Sequence, residues 1–217
     1  NAGNQLTFSY TVVDGDNDAD GITLGSQINF PGGSSIRDAA TNNLVAALNG
    51  VGDGSAIRIN TNHPTVTLTT PQASTVVAPF ILTITFSEQT TDALALADFN
   101  LTGCTISALS TTDNITWTGL ITPTANAQGA ATINLPADVV HNIATNGNQA
   151  AATYNFNYDT KSPAITSITP PTNGTYKFGQ TLTFTINYDD NFTVFGAPTL
   201  PIIIGSNTRN AALTGGT

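Results

Sequence analysis

Five stretches of this chain alternate apolar residues with Thr, Ser or Asn at every second position: "QLTFSYTVV" (5–13), "FILTITFS" (80–87), "AATINLP" (130–136), "ATYNFNYD" (152–159) and "TLTFTINYDD" (181–190). A period of two sorts side chains onto the two faces of an extended strand and cannot give a helix one apolar face. The stretches are rich in β-branched and aromatic residues and are bounded by Gly, Pro, Asn and Asp, which favour turns. Alternation leaves one face wet, so these strands are expected to be half-buried and antiparallel. Turn signals recur at intervals of about 8–12 residues, the spacing of β-sandwiches. Only "DAATNNLVAALNGVG" (38–52) and "DALALADFN" (92–100) carry helix-like spacing, and the first also reads as a bulged strand. The chain is expected to be all-β.

An internal repeat divides it. "NHPTVTLTTP…FILTITFSE" (62–88) is similar to "KSPAITSITPP…TLTFTINYDD" (161–190): Pro64 aligns with Pro163, and Thr85-Phe86-Ser87-Glu88 with Asn187-Tyr188-Asp189-Asp190. A weaker echo pairs "IRDAATNN" (36–43) with "VHNIATNGN" (140–148). The offset is about 100 residues, the size of one sandwich domain. The frame predicts one complete domain at 62–161, the C-terminal half of a repeat at 1–61 and the N-terminal half of the next at 162–217. Half a sandwich exposes an apolar face and unpaired strand edges. With linkers as short as "INTNHP" and "DTKSP" and domain ends at opposite poles, the halves are expected to complete one another between neighbouring chains. Strand exchange and head-to-tail assembly both satisfy this; partial disorder of the end segments is the other reading. The sequence begins at Asn1 and contains no methionine, so it is expected to be a piece of something longer.

Charge limits the partners. The net charge is −9 and only 9 % of the 217 residues are charged, against roughly 25 % in an ordinary domain. This disfavours nucleic-acid phosphates and anionic membrane surfaces and suits cations or neutral partners. No apolar run approaches the roughly 20 residues of a membrane span, so membrane insertion is not expected. No signal-peptide pattern is present.

Against that sparse background, "VVDGDNDADGI" (12–22) places carboxylates at Asp14, Asp16, Asp18 and Asp20. Asp16-x-Asp18-x-Asp20-Gly21 matches the opening of an EF-hand loop, but its twelfth position is Gln27 rather than a bidentate Glu and its flanks are strands. If the backbone is extended, the four side chains share a face and repel unless a cation compensates. Hard oxygen donors without nearby Cys or His favour Ca²⁺ over Zn²⁺. Asp38 is the expected further ligand from elsewhere in the chain, and Asp159, Asp189 and Asp190 are weaker candidates. The alternative is a solvated hairpin turn rich in Asp, Asn and Gly.

Catalysis finds little support. His63 precedes Pro64 in a linker and His141 lies in a turn, neither at a recognisable spacing from a Ser or Cys nucleophile. Glu88 is the single glutamate, and "GDGS" and "PGGSS" lack the basic residue and following helix of a phosphate cradle. Lys161, in a linker, and Lys177 are the only lysines, which leaves little scope for a Lys–Asn cross-link. Cys104 is alone and is expected to be a buried, inert thiol, with intermolecular pairing the alternative. Trp117 alternates like a packed strand residue rather than a sugar-stacking platform.

Read from 179–216 into 4–44, "GQTLTFTINYDDNFTVFGAPTLPIIIGSNTRNAALTGG" and "NQLTFSYTVVDGDNDADGITLGSQINFPGGSSIRDAATNNL" together resemble one cadherin- or Ig-like repeat of large bacterial adhesins. "HPTVTLTTPQASTVVAPFILTITFSEQTTDALALADFNLTGCTIS" is similar to the bacterial Ig-like repeats that accompany them, and "YDTKSP" (158–163) resembles their linker. The resemblance implies tandem immunoglobulin-like β-sandwiches, one complete and two halved. It also implies a structural or adhesive role at the bacterial surface or outside the cell, rigidified by Ca²⁺ and without catalysis. It leaves room for a host-surface or glycan ligand. An ancillary, carbohydrate-binding module of a secreted hydrolase and a surface-layer or filament subunit are the alternatives. Such repeats carry an Asp…Gly-Asn turn, partly kept at Asp38–Asn42; Asn142 replaces that aspartate in the middle domain.

Overall fold

The computed structural model describes residues 4–71 and 75–216. They fall into two compact units, Asn1–Thr124 with Gln128–Asp159 and Ala125–Ala127 with Thr160–Thr217. The first carries β1 (Asn17–Asp18), β2 (Ile59–Asn60), β3 (Val66–Thr69), β4 (Phe80–Phe86), β5 (Asn100–Thr102), β6 (Cys104–Thr111), β7 (Thr116–Pro123), β8 (Gln128–Asn134) and β9 (Tyr154–Asp159). The second carries β10 (Ile165–Thr169), β11 (Thr185–Tyr188), β12 (Thr199–Ile204) and β13 (Asn207–Ala212).

Seven of these strands make a sandwich. One sheet runs β3-β4-β7-β6 and the other β5-β8-β9, all antiparallel. Four strands facing three in this order is the arrangement of the seven-stranded immunoglobulin fold. Beyond β3 the chain crosses to the second sheet, where Val76 bridges Tyr158 in parallel. Between β5 and β6 it crosses back at Gly103, whose φ is +69° and where a Cβ would lie 2.8 Å from the Ala130 carbonyl oxygen. Only glycine meets both demands. The alternation read from the sequence is what fills the core: Phe80, Leu82, Ile84 and Phe86 of β4 point inward, as do Trp117 and Ile121 of β7. They meet Ala131 and Ile133 of β8 and Phe156 of β9, with the Phe80 and Phe156 rings edge to face at 5.2 Å.

The end segments differ. Every buried apolar residue among those described lies between Pro64 and Tyr158. Residues 4–61 and 164–216 instead expose large apolar side chains, among them Phe8 (72 %), Tyr10 (71 %), Phe178 (105 %) and Phe195 (89 %). The stretch 5–13, expected as a strand, pairs with no strand among the described residues, and 181–190 is a strand only over Thr185–Tyr188. Side-chain alternation is present in both; what is missing is a neighbouring strand to take the backbone hydrogen bonds. The two helix-like stretches hold no α-helix: 92–100 contains a 3-10 turn at Leu96–Asp98 and opens β5 at Asn100, while 38–52 contains a tight turn at Asp38–Asn42. Alanine-rich spacing there is overridden by side chains that bond local backbone.

Candidate cation loop and linker clasp

Asp14–Asp20 sit on two turns rather than one extended run. The Asp16 N–H donates to the Val13 carbonyl (3.1 Å) and Gly15 takes φ +93°; Gly21 takes φ +110° and its N–H donates to Asp18 Oδ1 (2.8 Å). Only Asn17–Asp18 is strand, paired with Ile59–Asn60. The glycines break the extended geometry that would have lined up four carboxylates. Asp16 Oδ2 accepts from the Tyr10 hydroxyl (2.7 Å) and the Val13 N–H (2.9 Å). The Val13 N–H, then the Tyr10 hydroxyl, hold the Asp16 carboxyl below its usual range, and the carboxylate in turn raises the Tyr10 phenol. Asp16 and Asp18 are half-buried; Asp14 and Asp20 are exposed.

The other candidates are also bound to their own neighbourhoods. Asp38 accepts from the Asn42 side chain and N–H, both at 2.8 Å, and these, the side chain foremost, lower its pKa. Asp189, in the second unit, is lowered first by Lys161, whose Nζ lies 2.8 Å from Oδ2, and then by the Ala164 N–H. Asp190 Oδ1 accepts from the Asn191 N–H, and Asp159 closes β9 opposite Gln128. The donors are all oxygens, as Ca²⁺ requires. Among the described residues, no three Asp, Glu, His or Cys side chains gather in an arrangement that would hold a metal ion.

A second constellation, at the loop between β8 and β9, is one the sequence did not announce. Asn142 is 1 % exposed. Its Oδ1 accepts from the Ala144 and Asn146 N–H groups (3.0 Å each), while its Nδ2 donates to the Asn62 carbonyl (2.9 Å). Asn146 Nδ2 donates to the Asn60 carbonyl (2.8 Å), His63 Nδ1 lies 2.7 Å from the Gly147 carbonyl oxygen, and Asn60 Nδ2 donates to Glu88 Oε2 (3.1 Å). The loop thus clasps residues 60–63, Asn60 and Asn62 by their carbonyls and His63 by its ring. Asparagine stands where an aspartate was expected because the position needs a donor and an acceptor at once.

Beside the clasp, His141 meets two carboxylates. Its Nδ1 donates to Asp92 Oδ2 (2.6 Å), and Nε2 lies 3.2 Å from Asp138 Oδ1. An imidazole oriented by a carboxylate is part of a hydrolytic triad, but Nε2 would then face a nucleophile; here it faces a second acid. Asp92, then Asp138, raise the His141 pKa above 6.5. A raised pKa stabilises the fold in full below the unfolded value and loses that contribution as pH rises through the folded one. The melting temperature is therefore expected to fall as pH rises above 6.5 in calorimetry, and His141→Gln to flatten that fall. The lowered carboxylates leave that slope unchanged, because their stabilisation is present above their ordinary value of 3.8 and is lost only as pH falls below it.

Cys104 is half-buried on β6, with Sγ 3.8 Å from the Thr132 carbonyl oxygen, and burial pushes its thiol pKa up. Trp117 packs in the core with its Nε1 unpartnered among the described residues. No helix among them is long and apolar enough to cross a membrane.

No curated protein and no solved structure matches the chain. The sequence profile of the bacterial Ig-like domain matches residues 60–158, which run from the end of β2 to within one residue of the end of β9 and span the four-on-three sheet order described above. Residues 60–158 are thus similar to the bacterial Ig-like domain in sequence, and their strands follow the immunoglobulin-like sheet order.

Proposed function

We propose that the chain is a structural and adhesive repeat segment of a large bacterial surface or secreted protein, without catalysis and rigidified by Ca²⁺. One observation carries the reading: the hydrogen-bonded turn of the middle domain recurs in residues 36–44. The Asp38 N–H donates to the Asn42 carbonyl and the Thr41 N–H to the Asp38 carbonyl, as Asn142 does to Asn146 and Thr145 to Asn142, all at 3.0 Å. Thr41 and Thr145 both take a positive φ, and Arg37 bridges Asn43 as His141 bridges Gly147. The same holds at the other end. The Asp189 N–H donates to the Ala164 carbonyl as Ser87 does to Thr65, and a side chain at 189, as at 87, accepts the return bond. These correspondences support reading 1–61 as the C-terminal half of a repeat, 62–161 as a complete one and 162–217 as the N-terminal half of the next. Tandem sandwiches of this kind act as spacers and stalks.

Calcium enters through Asp14, Asp16, Asp18 and Asp20, the densest set of hard oxygen donors in the chain, with Asp38 as a further donor and Asp159, Asp189 and Asp190 as lesser ones. A bound cation would relieve repulsion among the loop carboxylates and couple ion binding to folding. Thermal unfolding in millimolar CaCl₂ is expected to lie above that in excess EDTA; superimposable curves remove calcium from this account. A glycan array on the whole chain separates the adhesive role from a purely spacing one.

A further inference from the structure

The end segments match the middle domain closely enough to say which strand each is missing. In the second unit, Tyr188 pairs with Ile165 as Phe86 pairs with Val66. Counting back along β11, Ile186, Phe184 and Leu182 stand where Ile84, Leu82 and Phe80 stand on β4. In the middle domain, Thr83–Phe86 pair with β3, whereas Phe80–Leu82 pair with β7 alone. β11 is strand at Thr185–Tyr188, the part that β10 pairs with, and stops where its neighbour would be the counterpart of β7.

That counterpart lies in residues 5–12. Asn60 stands four residues before Pro64 as Asp159 stands four before Pro163, and Asn17 pairs with Asn60 as Gln128 pairs with Asp159. Counting back from Asn17, Gly15 falls at Asn126, and both take a positive φ. Leu6, Phe8, Tyr10 and Val12 then fall at Trp117, Gly119, Ile121 and Pro123, the inward positions of β7. Leu6 and Phe8 line an open groove with Ile28, Phe30 and Ile36. Those three match Ile133, Leu135 and Val140, which are fully buried in the middle domain. The groove is half of a core.

We propose that residues 5–12 of one copy add as an antiparallel strand to the free edge of β11 in a second copy, with Leu6 opposite Ile186, Phe8 opposite Phe184 and Tyr10 opposite Leu182. The inference rests on the half-domain reading. The register copies the middle domain, where Trp117 lies opposite Ile84, Gly119 opposite Leu82 and Ile121 opposite Phe80. Strand addition satisfies the idle backbone groups on both edges, and the alternate side chains supply the apolar contact. Among the described residues, ten large apolar side chains are exposed in 4–61 and eleven in 164–216. At about 60–120 Å² for each side chain buried, the two faces amount to roughly 1,300–2,500 Å², the size of a lasting interface.

The test is oxidative cross-linking in the full chain with Cys104→Ser. Thr7 and Thr185 would lie opposite each other, as Thr118 and Thr83 do. Mixing Thr7→Cys with Thr185→Cys is expected to shift the main band from monomer to dimer mass on a non-reducing gel, with Thr7→Cys plus Thr183→Cys lagging behind. Phe8→Asp, at a side chain 72 % exposed within its own chain, should abolish the shift and return the unlabelled protein to monomer mass in light scattering. A double variant, Thr7→Cys with Thr185→Cys, that closes its disulfide only within single chains overturns pairing between copies and leaves the half-domain reading standing. Failure to cross-link at this register in either format overturns both.

Discussion

Replacing Asn142 with aspartate is expected to destabilise the middle domain by about 3 kcal/mol, because a buried amide that both donates and accepts becomes a carboxylate that can only accept. One oxygen would keep the Ala144 and Asn146 N–H groups. The other would face the Asn62 carbonyl oxygen, which now receives the Asn142 Nδ2 hydrogen at 2.9 Å. With the side chain 1 % exposed, no water is at hand to relieve that contact or to solvate the charge. For a domain of this size such a loss corresponds to a fall of about 12–24 °C in melting temperature. Asp38→Asn, in the matching turn, is the control. That change loses the bond from the Asn42 Nδ2 to the second oxygen, but Asp38 is exposed and water can take both groups, so the midpoint should shift little. A fall of less than about 4 °C in Asn142→Asp would contradict the role given to the clasp.

Leu82→Ala should cost about as much for a different reason. Leu82 is fully buried at the centre of β4, and shortening it removes transfer free energy and leaves a cavity between sheets that close only partly over it, together about 3–4 kcal/mol. The informative contrast is Leu24→Ala, 65 % exposed in the end segment, which should leave the melting of the middle domain unchanged. Chemical denaturation read by Trp117 fluorescence reports that domain selectively, because it holds the chain's one tryptophan. Equal losses in the two variants would mean that the end segment and the sandwich unfold as one body.

The sequence displays side-chain patterns, and these located the inward faces of β4, β8 and β9 well. A pattern does not say whether the backbone finds a partner. "QLTFSYTVV" alternates as cleanly as "FILTITFS", yet the first pairs with no strand among the described residues and the second is a central strand. The aspartates illustrate the same gap. Spacing them at every second residue suggests a shared face, while Gly15 and Gly21 turn the backbone between them. At Asn142 the departure from the repeat's aspartate was visible, but its cause, the Asn62 carbonyl, comes from 80 residues away. Asp92 and His141 likewise meet only through the tertiary fold.

The clasp on residues 60–63 also bears on reach. A free linker of a few residues is a swivel, and a chain of domains joined by swivels extends with roughly the square root of their number. Here the carbonyls of Asn60 and Asn62 are bonded to side chains of the domain that follows, so those residues turn with it. An array whose junctions were all held in this way would lengthen in direct proportion to the repeats added. Each further domain would then carry whatever sits at the tip a full domain length from its anchor.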